Sequence, residues 1–361
     1  MLLLRNADVR AVLDMPLAMA ALRDAYADLA AGEATHVPRI DVWSPTGRTT
    51  DHHQFGSMVG TARSAGVLAV RLKSDIVSFK GGTQTKWCSR PGLFSGMILL
   101  YRLDDGEPLA LIQDGLLQHF RVGAAGGIGT DVLARRDATS LGIVGSGGMA
   151  EVHLEAVALV RDLTEVRVFS RDPARRERFA REQSARLGLH VRAVGSAAEA
   201  ARGAAIVVTA TDAVGPTLDP DDFAPGSHVT CITRRELSER LMARVDVAVQ
   251  LGEATIPPDL PIPGMEWRLG GYASYLSGTP EDRSRVPAGR ATERLRLPSL
   301  ADVVAGRSPG RGTPDATTLF LNLGTQGLQF AAVGGAVLRA AAASGLGVEV
   351  PTEWFLQDIR N

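Results

Sequence analysis

Short apolar runs alternate with helical patterns through the middle of the chain. Each run has the length of a buried strand, and each following segment repeats apolar residues at the spacing of one helix face. Because parallel neighbouring strands need crossover connections, the alternation predicts an α/β fold with a doubly wound, Rossmann-type parallel sheet. The predicted strands are 141–144, 165–169, 190–193, 205–209, 228–232 and 245–249, and the predicted helices are 151–160, 173–187 and 197–201.

A different organisation precedes this region. Asp14 and Pro16 are typical of a helix start and Gly32 of a helix end, so a helix is expected between them. The Asp-Asp-Gly break at residues 104–106 indicates a hairpin between two strands. The other elements predicted here are strands at 66–73, 97–103 and 108–113 and a helix at 115–135.

The C-terminal part of the chain is apolar but contains several glycines. Residues 315–343 have too many of them for an isolated helix, so tertiary packing must support this segment. We therefore expect an α+β domain formed by both termini, 1–135 with 311–361, and a Rossmann domain at 136–310. Residues 254–298, which are rich in Pro and Gly, form either a lid or dimerisation arm or a plain surface insertion.

Composition and charge narrow the classes of function. The 361 residues carry a formal net charge of -1, which gives no electrostatic reason to expect nucleic acid or an anionic membrane as a partner. No apolar run reaches the length of a membrane span and no signal-type segment is present, so we expect a cytoplasmic protein. Cys88 and Cys231 form no spaced framework, and adjacent His52 and His53 cannot easily converge on one ion, so no metal is expected.

Residues 140–150, SLGIVGSGGMA, pass from an apolar strand through closely spaced glycines into a helix. Gly145, Gly147 and Ala150 occupy the positions of a Gly-x-Gly-x-x-Gly/Ala turn, which allow a tight turn, close approach to a pyrophosphate and close helix packing. Amides at the start of the next helix favour a phosphate. A dinucleotide is therefore predicted to bind at Gly145, Ser146, Gly147, Gly148, Met149, Ala150, Ser170, Arg171, Thr209, Ala210 and Thr211.

The end of the second strand distinguishes NADP from NAD. An acidic side chain there binds the ribose 2′-hydroxyl of NAD, whereas a basic one accommodates the 2′-phosphate of NADP. Ser170 and Arg171 occupy this turn, which favours NADP(H). Asp172 keeps NAD(H) open as an alternative, and its other interpretation is a cap on the helix that begins at Pro173.

Four segments taken in order resemble the ornithine cyclodeaminase and mu-crystallin family, namely residues 99–135, 142–157, 209–229 and 300–320. The resemblance implies a dimerising α+β domain built from both termini, a Rossmann domain between them, and a homodimer. It also implies chemistry at a carbon bonded to nitrogen beside a carboxylate, on a small imino, amino or 2-oxo acid. Ornithine cyclodeaminase, imine reductases and alanine dehydrogenase are members of this family.

Three cations acquire roles from this resemblance. Arg39, in THVPRIDV, matches an arginine that clamps the substrate carboxylate, for which a planar guanidinium is suited. Lys73, in VRLKSD, matches a strand-end lysine beside the reacting carbon, where an ammonium could bind the carboxylate and transfer a proton. Arg121, in QHFRVGAA, matches a further anion contact close to the substrate and the nicotinamide. Arg71 is assigned no role.

The chain departs from the family pattern at three places. Residues 233–236, TRRE, lack the aspartate to which the family assigns water activation or ring closure. Val122 replaces a threonine, and Gln329 stands where an aspartate is common. The missing carboxylates argue against ornithine deamination, whereas hydride transfer is performed by the nicotinamide itself and does not need them.

The predicted function is therefore that of an NAD(P)H-dependent imine or imino-acid reductase, or in reverse an amino-acid dehydrogenase. One alternative is a cyclodeaminase that uses bound NAD, in which Asp212, Glu236 or His119 would replace the lost aspartate. Each of these three side chains also has a structural interpretation. The other alternative is a non-catalytic, crystallin-like NADPH-binding protein or partner subunit.

Overall fold

The protein is built on two β-sheets, a mixed sheet of 11 strands and a parallel sheet of 7. A computed structural model describes residues 1–48, 50–80, 83–213, 215–252, 263–268, 271–288 and 297–359. The strands are β1 (Leu2–Leu4), β2 (Thr35–His36), β3 (Ile40–Pro45), β4 (Asp51–Ala62), β5 (Val67–Lys80), β6 (Thr83–Trp87), β7 (Ser95–Arg102), β8 (Pro108–Gln113), β9 (Ser140–Val144), β10 (Glu165–Phe169), β11 (Val191–Ala193), β12 (Ile206–Thr209), β13 (His228–Cys231), β14 (Val247–Gly252), β15 (Met265–Arg268), β16 (Gly271–Leu276), β17 (Thr318–Gly324) and β18 (Val348–Glu349). The helices are α1 (Asn6–Val12), α2 (Met15–Ala31), α3 (Asp114–Leu133), α4 (Gly148–Val160), α5 (Pro173–Leu187), α6 (Ala197–Ala201), α7 (Glu239–Arg244), α8 (Pro280–Ser284), α9 (Leu300–Val304) and α10 (Gln326–Ala343).

The parallel sheet confirms the predicted Rossmann-type α/β fold. Its strand order is β11-β10-β9-β12-β13-β17-β14, and every neighbouring pair is parallel. The central strands β9, β12 and β13 are buried along nearly their whole length because helices cover both faces of a parallel sheet. Leu141 and Ile143 of β9, for example, are fully buried, and they belong to one core with Leu154 and Val157 of α4.

The mixed sheet has the order β15-β16-β3-β4-β5-β7-β8-β1-β18, with β2 paired to β4 and β6 paired to β5. Residues along β4 alternate between buried and half-buried, as expected when one face of a sheet is covered. The covered face packs against α2, α3 and α10, and the core there includes Met58 of β4, Leu22 of α2 and Phe330 of α10. The opposite face carries exposed apolar residues, among them Ile40 and Val42 of β3.

Two strands of the mixed sheet differ from the sequence prediction. The strand expected at 66–73 continues to Lys80, because its second half pairs with β6 as an antiparallel hairpin. Lys73 therefore lies inside β5 rather than at its end. The 12-residue strand β4 was not predicted as a strand, because glycine and polar residues interrupt its apolar positions.

The predicted division at residues 136 and 311 also needs correction. Strand β17 lies in the segment assigned to the terminal domain, yet it pairs with β13 and β14 inside the parallel sheet. Conversely, β15 and β16 lie within 136–310 but join the mixed sheet, where β16 runs parallel to β3. The interpretation of 254–298 as a lid, arm or insertion falls partly on 253–262, 269–270 and 289–296, which lie outside the described residues. The described part of that segment extends the edge of a sheet.

The predicted helix boundaries in the terminal region are confirmed. Asp14 caps α2 by accepting a hydrogen bond from the Leu17 amide at 2.8 Å, and Gly32 ends the helix in the left-handed conformation with φ 77°. The glycine-rich C-terminal segment forms β17 followed by α10, and α10 returns to the mixed sheet as expected. Among the described residues, none of the helices is both long and apolar enough to cross a membrane.

Candidate active site

The glycine turn joins β9 to α4 at the carboxyl end of the parallel sheet. Gly145 has φ 122°, and a Cβ atom there would lie 2.3 Å from the carbonyl oxygen of Ala210, so this position requires glycine. Gly147 caps α4 and has open space where its side chain would be. The amides at the start of α4 therefore face a space that a phosphate could enter. Ala150, one turn later, is fully buried against the sheet, and Met149 is half-buried.

Helix α3 connects this turn to the mixed sheet. The His119 ring of α3 lies against Gly148, with its Cε1 atom 2.6 Å from where a Cβ of that glycine would be. Arg121 is two residues further along the same helix. The glycine turn and the cation predicted to bind substrate are therefore positioned by one rigid element. Burial lowers the pKa of His119, which favours a neutral ring packed in this contact.

The turn after β10 contains the residues predicted to read the ribose. The hydroxyl of Ser146 donates to that of Ser170 at 2.8 Å, which joins the glycine turn to the end of β10. Arg171 is 87% exposed and makes a 3.5 Å ion pair with the equally open Asp212. Asp172 caps α5 by accepting from the Arg175 amide at 3.1 Å. Asp172, the carboxylate that left NAD(H) as an alternative, therefore caps helix α5. The exposed Arg171 side chain can reach a ligand if it leaves Asp212.

The end of β12 is held by a buried carboxylate. Glu236 accepts hydrogen bonds from the Thr211 amide at 3.0 Å, the Thr211 hydroxyl at 2.5 Å and the Thr209 hydroxyl at 3.2 Å. Burial raises the pKa of Glu236, an effect that these hydrogen bonds oppose. Ala210 pairs with the strand beside it, because its amide donates to the Val144 carbonyl at 2.8 Å. The contacts of Glu236 support a structural role, in which it shapes the predicted cofactor edge.

Lys73 lies between glycines on both neighbouring strands. It is opposite Gly56 of β4 and Gly96 of β7. A Cβ at Gly56 would lie 2.9 Å from Asp41 Oδ1, and one at Gly96 would lie 2.1 Å from Asp114 Oδ2. Because side chains are missing on both sides of Lys73, carboxylates from more distant positions can reach this face of the sheet.

Each of three cations on this face is paired with one carboxylate. Arg39 donates to Asp41 Oδ1 from Nε at 2.9 Å and from Nη2 at 2.7 Å. Lys73 makes an ion pair with the fully buried Asp75, two residues further along β5. Gly56, which is opposite Lys73, also lies against the Arg39 guanidinium, so Arg39 and Lys73 are close together, and both side chains stay partly accessible.

Arg71 is the third of these cations and was left out by sequence reasoning. It is buried and donates to Asp114 Oδ2 from Nε at 2.8 Å and from Nη2 at 2.5 Å. Its guanidinium lies over the Phe330 ring, 5.4 Å from the centroid. Arg71 and Lys73 are two residues apart on one strand and so share a face. That spacing is the sequence signal that places Arg71 in the same site as Lys73. The alternation could not show that Asp114, 43 positions later, is the partner.

Arg121 is buried without a carboxylate partner among the described residues. Its Nη1 donates to Gln329 Oε1 at 2.7 Å, and its Nη2 donates to Gln118 Oε1 at 3.0 Å. The guanidinium lies 5.1 Å from the centroid of Phe330, on which Arg71 also stacks. Burial, followed by the charge of Arg71, lowers the pKa of Arg121. A bound anion would offset the cost of burying this charge and its repulsion by Arg71, so this geometry favours an anionic ligand.

Lys86 is a fifth cation of the site that sequence reasoning did not single out. It lies on β6 opposite Val77 of β5, and so projects from the same face as Lys73. Burial, with smaller contributions from the charges of Lys73 and Arg39, lowers the pKa of Lys86 to about 7. Within the described part of the chain Lys86 has no hydrogen bond and no ion pair. Only the register of the β5–β6 hairpin shows that it belongs to the site.

A metal centre finds no support in the parts of the chain that the structure describes, since no group of three His, Cys, Asp or Glu side chains there could hold an ion. The site is instead a set of cations on the mixed sheet and α3, next to a glycine turn on the parallel sheet. The fold and the site together define a Rossmann-type protein with a second, cation-lined α+β domain.

The relatives of this chain agree with that class. Residues 1–333 match the model of the ornithine cyclodeaminase/mu-crystallin family, and the chain belongs to this family. It is similar to a Delta(1)-pyrroline-2-carboxylate reductase from Bacillus cereus, with 27% identity over 238 residues that cover 64% of this chain and 66% of that one. It is also similar to an NAD(P)H-dependent anabolic L-arginine dehydrogenase from Pseudomonas aeruginosa, with 29% identity over 252 residues that cover 68% and 74% of the two chains.

A solved structure shows the same fold. It is the Delta(1)-pyrroline-2-carboxylate reductase of Thermococcus litoralis in complex with NADH and L-proline. The TM-score is 0.76 at 24% identity, and the match covers 97% of this chain and 100% of that chain. Among these proteins, the Thermococcus litoralis reductase binds NADH and the Pseudomonas aeruginosa dehydrogenase is NAD(P)H-dependent.

Proposed function

We propose that the protein is an NAD(P)H-dependent imino-acid reductase, which in reverse oxidises an amino acid at the carbon that carries nitrogen and a carboxylate. The observation that carries this proposal is Arg121, a buried guanidinium that is held by two neutral amides and stacks on the same Phe330 ring as Arg71 of the mixed sheet. Burying such a cation costs free energy unless an anion pairs with it. A substrate carboxylate is the group that would do so.

The coenzyme would be held by the glycine turn and the ends of β10 and β12. When bound, the nicotinamide supplies or accepts the hydride. The amides of α4 would bind the pyrophosphate, and Arg171 would contact a ribose 2′-phosphate, so NADP(H) is the proposed preference. The exposed position of Arg171 and the capping role of Asp172 support that choice.

The chain's own residues would orient the substrate and transfer a proton. Arg39, Lys73 and Arg121 would hold the carboxylate, and Arg71 would keep Phe330 and Asp114 in place beneath them. Lys73 would give a proton to the substrate nitrogen during reduction and accept one in the reverse direction. Its ion pair with the buried Asp75 would hold the ammonium in place on this face of the sheet. Correct orientation of the substrate by these cations supplies much of the rate.

The test is an NADPH oxidation screen with ammonia or methylamine plus 2-oxo acids, and with cyclic imino acids. With the best substrate, Lys73→Ala is expected to lower kcat/KM by roughly 10²- to 10⁴-fold, the usual contribution of a proton-transfer group. Lys73→Arg keeps the charge but not the proton-transfer chemistry, so its KM is expected to change less than its kcat. Full activity in Lys73→Ala would remove the proton-transfer role.

The same screen separates the alternative functions. Release of ammonia from ornithine without net change in nicotinamide absorbance would establish a cyclodeaminase. Tight NADPH binding with no turnover of any imino or amino acid would establish a non-catalytic protein.

The uncovered face of the mixed sheet supports a homodimer as the assembly. Ile40 and Val42 of β3 and Met97 of β7 are exposed there. A contiguous apolar face on a folded chain is typical of an interface, and a second copy presents the same surface. The half-buried apolar residues of the same face are Phe55, Val59, Val70, Leu72 and Leu99.

A further inference from the structure

The charges of the site do not balance. Three of its five cations are each paired with one carboxylate, and two have no carboxylate partner among the described residues. The pairs are Arg39 with Asp41, Arg71 with Asp114 and Lys73 with Asp75, and the two left over are Arg121 and Lys86. Once the substrate carboxylate is bound by Arg121 and its neighbours, one positive charge still lacks a counter-charge.

The two uncompensated cations lie toward opposite ends of the site. Arg121 shares the Phe330 ring with Arg71, near one end of β5. Lys86 is opposite Val77, six residues further along β5, which corresponds to roughly 20 Å of strand between the backbone positions of residues 71 and 77. Both side chains are long and Lys73 lies between them. A substrate bound at Lys73 would therefore have Arg121 toward one end and Lys86 toward the other.

All of these groups nevertheless form a single electrostatic cluster. Besides burial, which is the largest effect, the charge of Arg39 contributes to lowering the pKa of Arg71, Arg121 and Lys86. The groups that face Lys86 are Lys73 and Asp75 from β5, Arg39 and Asp41 from the edge of β3, and His52 from β4, which lies in the same row through Val77.

We infer that Lys86 binds a second anionic group of the substrate, so that the preferred substrates are imino or 2-oxo acids with a distal carboxylate. This inference rests on the proposed function and specifies its substrate class. A half-buried ammonium without a partner is costly, and a carboxylate would repay that cost with a charge-assisted hydrogen bond. A substrate with a basic side chain would instead meet Lys86, Lys73 and Arg39 together.

The buried carboxylates nearby do not reverse this preference. Asp41 Oδ2 and both oxygens of Asp75 have no hydrogen-bond partner, which taken alone would favour a cationic ligand. Each of the two carboxylates already makes an ion pair, however, and the five cations outnumber the three carboxylates of the site. The net charge therefore favours a dianionic substrate.

The test compares 2-oxo acids of equal length with ammonia and NADPH: oxaloacetate with 2-oxobutyrate, and 2-oxoglutarate with 2-oxopentanoate. In the unmodified protein kcat/KM is expected to be at least tenfold higher for the dicarboxylates. In Lys86→Gln this ratio is expected to fall at least tenfold, and in Lys86→Arg it is expected to be retained. Thermal unfolding of both variants shows whether each is folded.

A pH series distinguishes charge binding from a structural effect. A pKa of about 7 means that Lys86 loses its charge between pH 6 and pH 8, so the advantage of the dicarboxylates is expected to decline by up to roughly tenfold over that interval. In Lys86→Arg the charge persists, so the advantage is expected to stay constant. A ratio that does not depend on pH in the unmodified protein, or that survives in Lys86→Gln, would overturn the inference.

A binding measurement keeps this inference separate from the proposed function. Titration calorimetry of 2-oxoglutarate and 2-oxopentanoate into the NADPH-loaded protein and into Lys86→Gln does not require turnover. Selective binding of 2-oxoglutarate that is lost in Lys86→Gln, with no oxidation of NADPH when ammonia is then added or when cyclic imino acids are supplied, would uphold the role of Lys86 and refute the reductase. Turnover of both acids with equal binding would uphold the reductase and refute the role of Lys86.

Discussion

Gln329 orients Arg121 and leaves its positive charge available to a ligand. Its Oε1 accepts from Arg121 at 2.7 Å while its Nε2 donates to the Tyr26 hydroxyl at 2.8 Å, so the guanidinium is oriented but not neutralised. A carboxylate at this position would orient the arginine equally well and would also compete with the substrate. The replacement of a family aspartate by glutamine is therefore a change in the charge of the site rather than in its shape.

Gln329→Glu tests that interpretation. Loss of a free charge for the substrate carboxylate is expected to raise KM by roughly 10- to 100-fold, the equivalent of about 1.5–3 kcal/mol for a hydrogen bond to a charged group. Steady-state kinetics with the best imino or 2-oxo acid measures the change. Gln183→Glu is the matched control, because Gln183 accepts from Arg186 on α5, outside the site. An unchanged KM in Gln329→Glu would show that Arg121 does not bind the carboxylate.

Arg171 provides the corresponding test for the coenzyme. Arg171→Ala is expected to weaken NADPH binding by about tenfold or more, since it removes a charge-assisted contact, and to leave NADH binding nearly unchanged. Fluorescence titration of both coenzymes measures the two dissociation constants. Arg178→Ala, on the exposed side of the neighbouring helix α5, removes an equal charge and should affect neither. Equal losses for both coenzymes would contradict the proposed NADP(H) preference.

The residues that sequence reasoning missed share a physical cause. The surroundings of Arg71 and Lys86 depend on which strands lie side by side, and a single sequence contains no direct record of that register. Arg39, Lys73 and Arg121 were predicted because each lies in a motif of the family. The closeness of Arg39 to Lys73 follows from Gly56, whose importance becomes visible only when β4 flanks β5.

At the scale of elements, α10 rests directly on strand β4. A Cβ atom at Gly327 would lie 2.0 Å from the Val59 carbonyl oxygen, and one at Gly60 would lie 2.3 Å from the Leu328 amide nitrogen. Backbone-to-backbone contact of this kind leaves no flexible side chain that could move aside. It also places the Gln329 and Phe330 side chains, at the start of α10, beneath Arg121.

Gly327→Ala is expected to destabilise the protein by about 2 kcal/mol or more, because the cost of overpacking exceeds the gain in helix propensity. The midpoint of urea unfolding measures the loss. Gly312→Ala is the control, since a Cβ at Gly312 meets no atom within 4 Å and should change stability little. Equal midpoints for the two variants would mean that α10 can shift away from β4.

The sequence predicted where helices and strands begin and end better than it predicted which of them lie side by side. The bounds of β10, α5 and α6 match the predicted ranges, because each has a clear apolar period and capping residues of its own. The position of β17 between β13 and β14 was not predicted, because its apolar pattern is satisfied by any buried strand position. Periodicity thus predicts which face of an element is buried but does not identify what buries it.

At the scale of the whole molecule, the uncovered face of the mixed sheet makes a prediction about assembly. Val42→Arg places a charge among exposed apolar residues and is expected to convert a dimer into a monomer, because a buried unpaired charge opposes association. Sedimentation velocity measures the mass. Leu159→Arg, at an equally exposed apolar position on α4, is the control and should leave the mass unchanged. A monomeric unmodified protein would refute the proposed interface.

One hydrophobic core contains residues of both sheets and of the helices between them. Leu22 of α2, Leu100 of β7, Ile128 of α3, Leu251 of β14 and Phe320 of β17 belong to one buried cluster. The sheets are therefore not separate folding units, and unfolding of the mixed sheet removes support from the parallel one. We expect the two to denature together rather than in succession.

The route of the chain between the sheets has a consequence for how this protein can change over time. The backbone enters the parallel sheet after α3, leaves it for β15 and β16, re-enters it at β17 and leaves again with α10. A single recombination event cannot exchange one half for that of another gene, since every junction would have to be replaced in concert. Changes in coenzyme or substrate preference are therefore expected to arise from point substitutions at positions such as Arg171 and Lys86, which leave the connections between the two sheets intact.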